Sequence, residues 1–374
     1  MTDAVGRGAL ARAWDRYWFR DASLERLALF RILVMALCLM DFVAYSATNF
    51  VDAAAVTNGT IAKPWNPIYL FEVLRLEPIG IEAATIVFWV AVAALVCGMI
   101  GLRARTACFI GGALCIYWTG LNYSFGKVHH EKVAFAFALL TLPLAPVGSR
   151  LSVDAWLRHR RSGENGPEQS PLARFPFRVT QLTLAIGYGF AGCTKLWLRG
   201  ADWANGYTLM GILIRYNNEW SSFASQHVLL SQILSWFTLV VQGSFPLVLL
   251  FPRLRWFYLP AAVGFHVATW QTMDTGPYMT LWFLLIAFLP LERIPTWLWS
   301  NIRSGSTWKA IGATGTVALP TALVLFVFTR YFTEWSLLAV LPILWLWLRE
   351  QHARDAGGTF SGHPLTEGAH ISNR

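Results

Sequence analysis

Long apolar segments dominate this chain and limit what it can fold into. A transmembrane helix needs about 20 mostly apolar residues, and about ten segments approach that length. They lie near residues 24–46, 80–101, 105–124, 130–147, 178–197, 228–250, 256–272, 278–291, 308–328 and 332–348. Hydrophobic residues make up 55% of the chain and charged residues 14%, which is typical of membrane proteins. The sequence therefore predicts an all-α fold, a polytopic transmembrane helical bundle with about ten spans.

The basic residues, which give a formal net charge of +9, are unevenly distributed among the loops. Every second loop carries a basic cluster: Arg7 to Arg26, Arg103 and Arg105, Arg150 to Arg178, Arg253 and Arg255, Arg293 to Lys309, and Arg349 and Arg354. Because cytoplasmic loops are enriched in Lys and Arg, this pattern predicts a multi-pass protein of the plasma (inner) membrane with both termini cytoplasmic. The lipid bilayer is the expected partner, and nucleic acid is not expected.

Four regions are predicted along the chain. Residues 1–22 are basic and aromatic, which favours an interfacial helix on the cytoplasmic membrane surface. Residues 23–291 form the main transmembrane domain, and residues 292–349 contain extra transmembrane helices. Residues 350–374 are expected to be a disordered cytoplasmic tail.

Ionisable residues from three separate segments are predicted to meet at one membrane depth. In the stretch "FGKVHHEKVAF", His129 and His130 begin the fourth apolar segment at its outer end. Lys195 ends the fifth segment on the same side, and His266 lies toward the outer end of the seventh. These residues are candidates for a functional site near the extracytoplasmic face.

Small residues lie near Lys195 on one face of its predicted helix. Tyr188 lies seven residues before Lys195, so the two side chains share nearly one line of a helix. Gly187, Ala191 and Gly192 are small residues in the same stretch of sequence. Small residues either allow close helix packing or leave room for a ligand.

Two interpretations of the ionisable residues remain open. Lys195 is either a lysine that snorkels toward the headgroups or an inward-facing amine that serves as a general base. His130 and His266 either bridge spans as satisfied polar groups or orient a substrate and handle protons. A metal site at His129 and His130 is not expected, because adjacent residues on a helix point about 100° apart.

Six ordered blocks resemble a known family over residues 24 to 290. They are "LALFRILVMALCLMDF", "GLRARTACFIGGALCIYWTGLNYSFGKVHHEKVAFAFALL", "SVDAW", "RVTQLTLAIGYGFAGCTKLW", "DWANGYTL" and "GFHVATWQTMDTGPYMTLWFLL". In this order they are similar to the membrane domain of vitamin K-dependent gamma-glutamyl carboxylase and its bacterial relatives, the HTTM family. The resemblance is to a bacterial-type relative without the large lumenal domain, and it differs in having His129 where the carboxylases have Asn.

The resemblance implies an enzyme of the carboxylase type, a lyase and oxygenase. Lys195 would deprotonate reduced vitamin K or menaquinol, with His130 and His266 as further catalytic residues. O2 would convert the hydroquinone into its epoxide and a strong base. CO2 would then add to a carbanion at a glutamate γ-carbon or on a related peptide or small molecule.

Other residues are expected to shape the cofactor site: His129, Tyr188, Trp203 and Asn205. A different class of function is also consistent with the residues. The chain would then be a non-catalytic membrane scaffold or peptide-maturation partner, or a proton-coupled transporter with Lys195 and the histidines as a relay.

Overall fold

Helices make up nearly all of the regular structure in the described part of the chain. The computed structural model describes residues 8–60, 63–126, 128, 132–164, 166–273 and 283–293. Its helices are α1 (Ala9–Phe19), α2 (Leu24–Ala44), α3 (Ser46–Thr57), α4 (Tyr69–Val73), α5 (Ile81–Ile100), α6 (Ala104–Ser124), α7 (Lys132–Thr141), α8 (Val153–Ser162), α9 (Arg174–Arg199), α10 (Ala201–Ala204), α11 (Tyr207–Tyr216), α12 (Glu219–Gln226), α13 (Val228–Ser244), α14 (Leu247–Leu250) and α15 (Arg255–Met273). Strands β1 (Ala22–Ser23) and β2 (Gln169–Ser170) pair antiparallel. Short 3₁₀ helices occupy Leu142–Leu144, Pro171–Ala173, Pro252–Leu254, Leu284–Phe288 and Leu291–Arg293. The predicted all-α class is confirmed.

The span count is less clear than the sequence predicts. Among the described residues, α2 and α5 are long and apolar enough to cross a membrane, and α12 with α13, bent by 104°, makes a third if counted as one span. α6 and α9 are long enough but carry glycines, tyrosines and other less apolar residues. α7 ends at Thr141, just before Pro143 and a 3₁₀ turn. The described residues thus show two or three candidate spans, and not clearly the ten that the sequence predicts.

Part of the predicted membrane region cannot be compared. The segments at 308–328 and 332–348, most of the segment at 278–291, and the tail at 350–374 lie outside the described residues.

A buried arginine ties the first long helix to a distant loop. Arg31 on α2 is fully buried, and its guanidinium donates to the carbonyls of Val147 and Leu151 at 2.6 Å each. Nearby, the Asp154 carboxylate accepts from the backbone N–H groups of Arg103 and Ala104 at the start of α6. These bonds satisfy buried polar groups and fix the relative positions of α2, α6 and α8.

The long helix α9 organises the second half of the fold. It packs against α7, α13 and the 3₁₀ helix at Leu284–Phe288. The approach of α9 to α13 is very close, since a Cβ added at Gly192 would lie 2.4 Å from the backbone nitrogen of Gly243. This contact requires glycine at position 192, and it brings the polar residues of α9 and α13 together.

Helix α1 is attached to the start of α9 by aromatic contacts. The rings of Trp18 and Phe19 lie 5.9 Å and 6.0 Å from the ring of Phe175, centre to centre. Leu10 and Trp14 are exposed. The structure therefore contains a helix where the sequence predicts one, and its position on a membrane surface stays a prediction.

Candidate functional site

A largely apolar cavity of about 390 Å³ lies between α7, α9, α11, α13 and α15. Four of the residues predicted for the site line it: Lys195, His266, Tyr188 and Trp203. Gln242 and several threonines complete its polar lining. Apolar cavities of a few hundred cubic ångströms with a small number of polar groups are typical of small-molecule sites.

The Lys195 side chain turns into this cavity. Its Nζ donates to Gln242 Oε1 at 2.8 Å and to the carbonyl of Ala191 at 3.2 Å. It also lies 5.4 Å from the centre of the Trp203 ring. The bond to Ala191 directs the amine one turn toward the N-terminal end of α9, away from the end at Arg199.

A tyrosine and a histidine form a second polar group in the same cavity. Tyr188 Oη lies 2.6 Å from His266 Nε2, and both side chains are buried. The Tyr188 ring stacks on Phe245 with a centre-to-centre distance of 4.4 Å, which fixes the direction of its hydroxyl. Because a phenol can donate or accept, the hydroxyl can hold either tautomer of the imidazole.

These two polar groups are separated along one face of α9. Lys195 and Tyr188 are seven residues apart, which is about 10 Å along a helix axis. Between them, Gly187 and Ala191 line the cavity, and a Cβ added at Gly187 would meet nothing within 4 Å. The small residues therefore have two roles, since Gly187 and Ala191 leave space while Gly192 permits close packing.

Trp203 contributes an unpaired donor. Its Nε1 is buried and has no hydrogen-bond acceptor among the described residues, although its ring lines the cavity. A buried donor without a partner is unfavourable, but the cavity meets the ring of Trp203 and not this nitrogen.

The cavity reaches the lateral surface of the helix bundle. Ile186 and Gly187 on α9 and Phe237 on α13 all line it, and all three are exposed on the outside. An apolar molecule can therefore reach the cavity from the side of the bundle.

Of the other predicted residues, Asn205 is described and does not line the cavity. Asn205 is half-buried, and its Oδ1 accepts from the backbone N–H of Tyr207 at 3.0 Å, a local turn at the start of α11. His129 and His130 lie outside the described residues. Val133 and Ala134, which follow them in the sequence, do line the cavity.

Sequence reasoning missed Gln242, the nearest side-chain partner of Lys195. The signal available was a carboxamide directly after Leu239, Val240 and Val241 in an apolar segment. Such a group must find a hydrogen-bond partner when buried, and in the structure that partner is the Lys195 amine.

A second cavity, of about 340 Å³, lies between α2, α6 and α7. An ion pair between Lys132 and Asp41 lines it, and both side chains are mostly buried. The amides of Asn49 and Asn122 are hydrogen-bonded to each other at its wall. None of the predicted site residues that the structure describes lies there.

Comparison with known proteins agrees with the apolar helices of the structure. The HTTM domain profile matches residues 19–293, well over half of the chain. The chain belongs to the HTTM domain family. The HTTM domain is the membrane domain shared with vitamin K-dependent gamma-carboxylase, so the predicted resemblance is confirmed. With the apolar helices α2 and α5, the match identifies an integral membrane protein. Searches of the curated proteins and of the solved structures gave no match for this HTTM protein.

Proposed function

We propose that this HTTM protein is a quinol-dependent, carboxylase-like membrane enzyme in which Lys195 is the base that deprotonates a hydroquinone. The observation that carries this proposal is the position of the Lys195 amine, which lies in an apolar cavity and is held by two uncharged acceptors, Gln242 Oε1 and the Ala191 carbonyl. Among the described residues that line this cavity there is no Asp or Glu. An ammonium buried without a counter-charge is disfavoured relative to the neutral amine, and the neutral amine is the basic form.

The cavity fits reduced vitamin K or menaquinol. Its volume of about 390 Å³ suits a bicyclic ring, and its apolar wall suits the ring faces and the start of a prenyl chain. The two hydroxyls of a para-hydroquinone lie at opposite edges of the ring. Lys195 would meet one hydroxyl, and the hydrogen-bonded Tyr188–His266 pair would meet the other. The ring of Trp203, which lines the cavity, is proposed to pack against the quinol.

A bound hydroquinone, oxidised by O2 to its epoxide, would supply a base strong enough to remove a carbon-bound proton, after which CO2 adds to the carbanion and water is released. Lys195 needs only to remove a proton from a phenol, whose pKa is about 10, and not a carbon-bound proton. Gln242 and Ala191 orient its amine, and the apolar walls from α9, α11 and α13 exclude water from the site.

His266 is proposed to act on the second hydroxyl, with Tyr188 as its positioning residue. His130 is proposed as a further catalytic residue, and His129 as a cofactor contact, on the family resemblance alone. Asn205 is proposed to act indirectly, since it caps the turn into α11, whose Leu209 and Leu213 line the cavity.

The predicted membrane topology forms part of the same proposal. Ten spans with both termini cytoplasmic would place the start of α9, in the basic segment that contains Arg174 and Arg178, at the inner face. Lys195 lies near the other end of α9, so the site would open toward the extracytoplasmic side. The acceptor would then be a peptide or small molecule outside the cell, with a glutamate γ-carbon as the first candidate.

The test is O2-dependent epoxidation of reduced menaquinone by the detergent-purified protein, followed by mass spectrometry without any acceptor. Lys195→Met should lower turnover by about 10²-fold or more, the contribution typical of a general base. Tyr188→Phe should lower it by about tenfold, as expected for the loss of one buried hydrogen bond. Lys63→Met is the matched control, because Lys63 is half-exposed and pairs with Asp52 away from the cavity.

Equal turnover in Lys195→Met and Lys63→Met would refute the assigned base. A folded protein that binds menaquinol but forms no epoxide would favour the non-catalytic scaffold. Proton-coupled flux of a solute in liposomes, lost in Lys195→Met, would instead favour a transporter.

A further inference from the structure

Four arginines converge at the end of the bundle where α2, α9 and α15 begin. They are Arg26 on α2, Arg174 and Arg178 on α9, and Arg255 on α15, and we call them the arginine cluster. Arg26 and Arg255 each lie within electrostatic range of Arg174 and Arg178, and of each other. Like charges at this separation repel, and more strongly where water is partly excluded.

The cluster has little negative charge to offset it. Its one ion pair with a described acidic residue joins Arg26 Nε to Glu292 Oε2 at a long 3.9 Å. The other partners of these guanidinium groups are uncharged: the Ala287 carbonyl for Arg26, the Tyr17 carbonyl for Arg174 and the Gln181 amide for Arg178. Arg255 lies over the ring of Phe288. Four positive charges therefore face one carboxylate.

Three buried N–H groups in this region lack an acceptor. They are Arg26 Nε, Arg255 Nε and Trp18 Nε1, none of which is hydrogen-bonded to a described residue, and Glu292 Oε2, which lies 3.9 Å from Arg26 Nε, also has no hydrogen bond. Trp18 lies in the same region, because its ring packs on Phe175, next to Arg174. Unpaired buried donors beside excess positive charge are unfavourable. Arg174, Arg178 and Arg255 are only partly buried, so an anion at their terminal N–H groups would offset this charge.

An anion with several acceptor oxygens would suit the guanidinium groups of the arginine cluster. Guanidinium groups match phosphate well, since their forked N–H groups can each bond two of its oxygens. The neighbouring helix α1 exposes Leu10 and Trp14, and such an apolar, aromatic surface favours the acyl region of a lipid. A phosphate that belongs to a lipid would satisfy both features at once.

We propose that the arginine cluster binds the phosphodiester of an anionic phospholipid, with the lipid's acyl region against α1. The lipid would join α1, α2, α9 and α15 at one point and offset the repulsion among their arginines. This site lies at the opposite end of α9 from Lys195 and does not depend on any quinol chemistry.

Binding can be measured by native mass spectrometry of the delipidated, detergent-purified protein. The probes are phosphatidylglycerol, phosphatidylcholine with the same acyl chains, and inorganic phosphate. We expect phosphatidylglycerol to bind more tightly than the other two. The Arg178→Gln/Arg255→Gln variant should weaken phosphatidylglycerol binding by about tenfold or more, because each charge-assisted hydrogen bond contributes on that order.

The matched control is Arg160→Gln/Arg161→Gln, which removes the same charge from exposed positions on α8 and should leave binding unchanged. Glu292→Gln removes the one carboxylate of the region and should tighten binding, which keeps the test decisive if the arginine variant folds poorly. Equal weakening in both double variants, or weaker binding in Glu292→Gln, would overturn the proposal. Inorganic phosphate that competes fully with phosphatidylglycerol would overturn the assignment to a lipid and indicate a soluble anion.

Discussion

The contact between Gly192 and Gly243 makes a strong test of how α9 and α13 meet. A methyl group at Gly192 would lie 2.4 Å from the Gly243 nitrogen and 2.6 Å from its Cα, whereas ordinary contacts begin at 3.4 Å. In Gly192→Ala the two helices must therefore separate by about 1 Å. Both partners in this contact are backbone, so no flexible side chain can give way, and overpacking of this kind costs about 1–3 kcal/mol.

Gly243→Ala is the matched control on the other side of the contact. A Cβ added at Gly243 would meet nothing within 4 Å. Alanine gains roughly 1 kcal/mol of helix propensity over glycine in a helix interior, as at Gly192, and less at Gly243, the penultimate residue of α13. The difference between the free energies of unfolding of the two variants is thus a lower bound on the steric cost, and we expect Gly192→Ala to be the less stable by about 1–3 kcal/mol.

The assay is thermal unfolding in detergent, followed by the fluorescence of the 19 tryptophans. Gly192→Ala should unfold at a lower temperature than Gly243→Ala. It should also lower quinol turnover, because Gln242 precedes Gly243 and would move away from the Lys195 amine. Equal unfolding temperatures would refute the close approach of the two backbones.

Two further predictions concern the first half of the chain and use the same unfolding assay. Arg31→Met should destabilise the protein by about 1–4 kcal/mol, because it leaves the buried carbonyl of Val147 and the part-buried carbonyl of Leu151 without a donor. Arg158→Gln at an exposed site should change stability by less than about 1 kcal/mol, and an equally small effect at Arg31 would contradict its structural role. Asp41→Asn should cost about 3–5 kcal/mol, because it leaves the Lys132 ammonium mostly buried and unpaired, and adding Lys132→Met should restore much of that loss. A double variant no more stable than Asp41→Asn would show that the two groups do not interact as a pair.

Much of the helix placement could be predicted from the sequence. The apolar segments near 24–46, 80–101 and 105–124 coincide closely with α2, α5 and α6, because side-chain hydropathy decides which residues can lie in a bilayer. The shared line of Tyr188 and Lys195 followed from helical periodicity alone. Their meeting with His266 followed from counting spans and assigning each end to a side of the membrane.

The partners of these residues could not be predicted in the same way. Periodicity shows which face of α9 carries Lys195, but it does not show which face of α13 lies opposite. That choice depends on the Gly192–Gly243 contact between segments about 50 residues apart, and only this contact places Gln242 beside the amine. Asn205 does not line the cavity for a local reason, since its carboxamide oxygen accepts a hydrogen bond from the Tyr207 N–H in the turn into α11. The number of spans could not be read from hydropathy because inward-facing helices such as α9 carry polar and small residues.

The exposed residues Ile186, Gly187 and Phe237, which also line the cavity, determine how an apolar ligand reaches it. A ligand that enters from the side of the bundle arrives by diffusion within the bilayer or micelle. Its effective concentration is then its mole fraction in that phase. Adding detergent at a fixed amount of quinol would then dilute the substrate without changing its concentration in the tube. The apparent KM should rise in proportion to the detergent concentration, and affinities obtained in different micelles become comparable only when expressed per molecule of amphiphile.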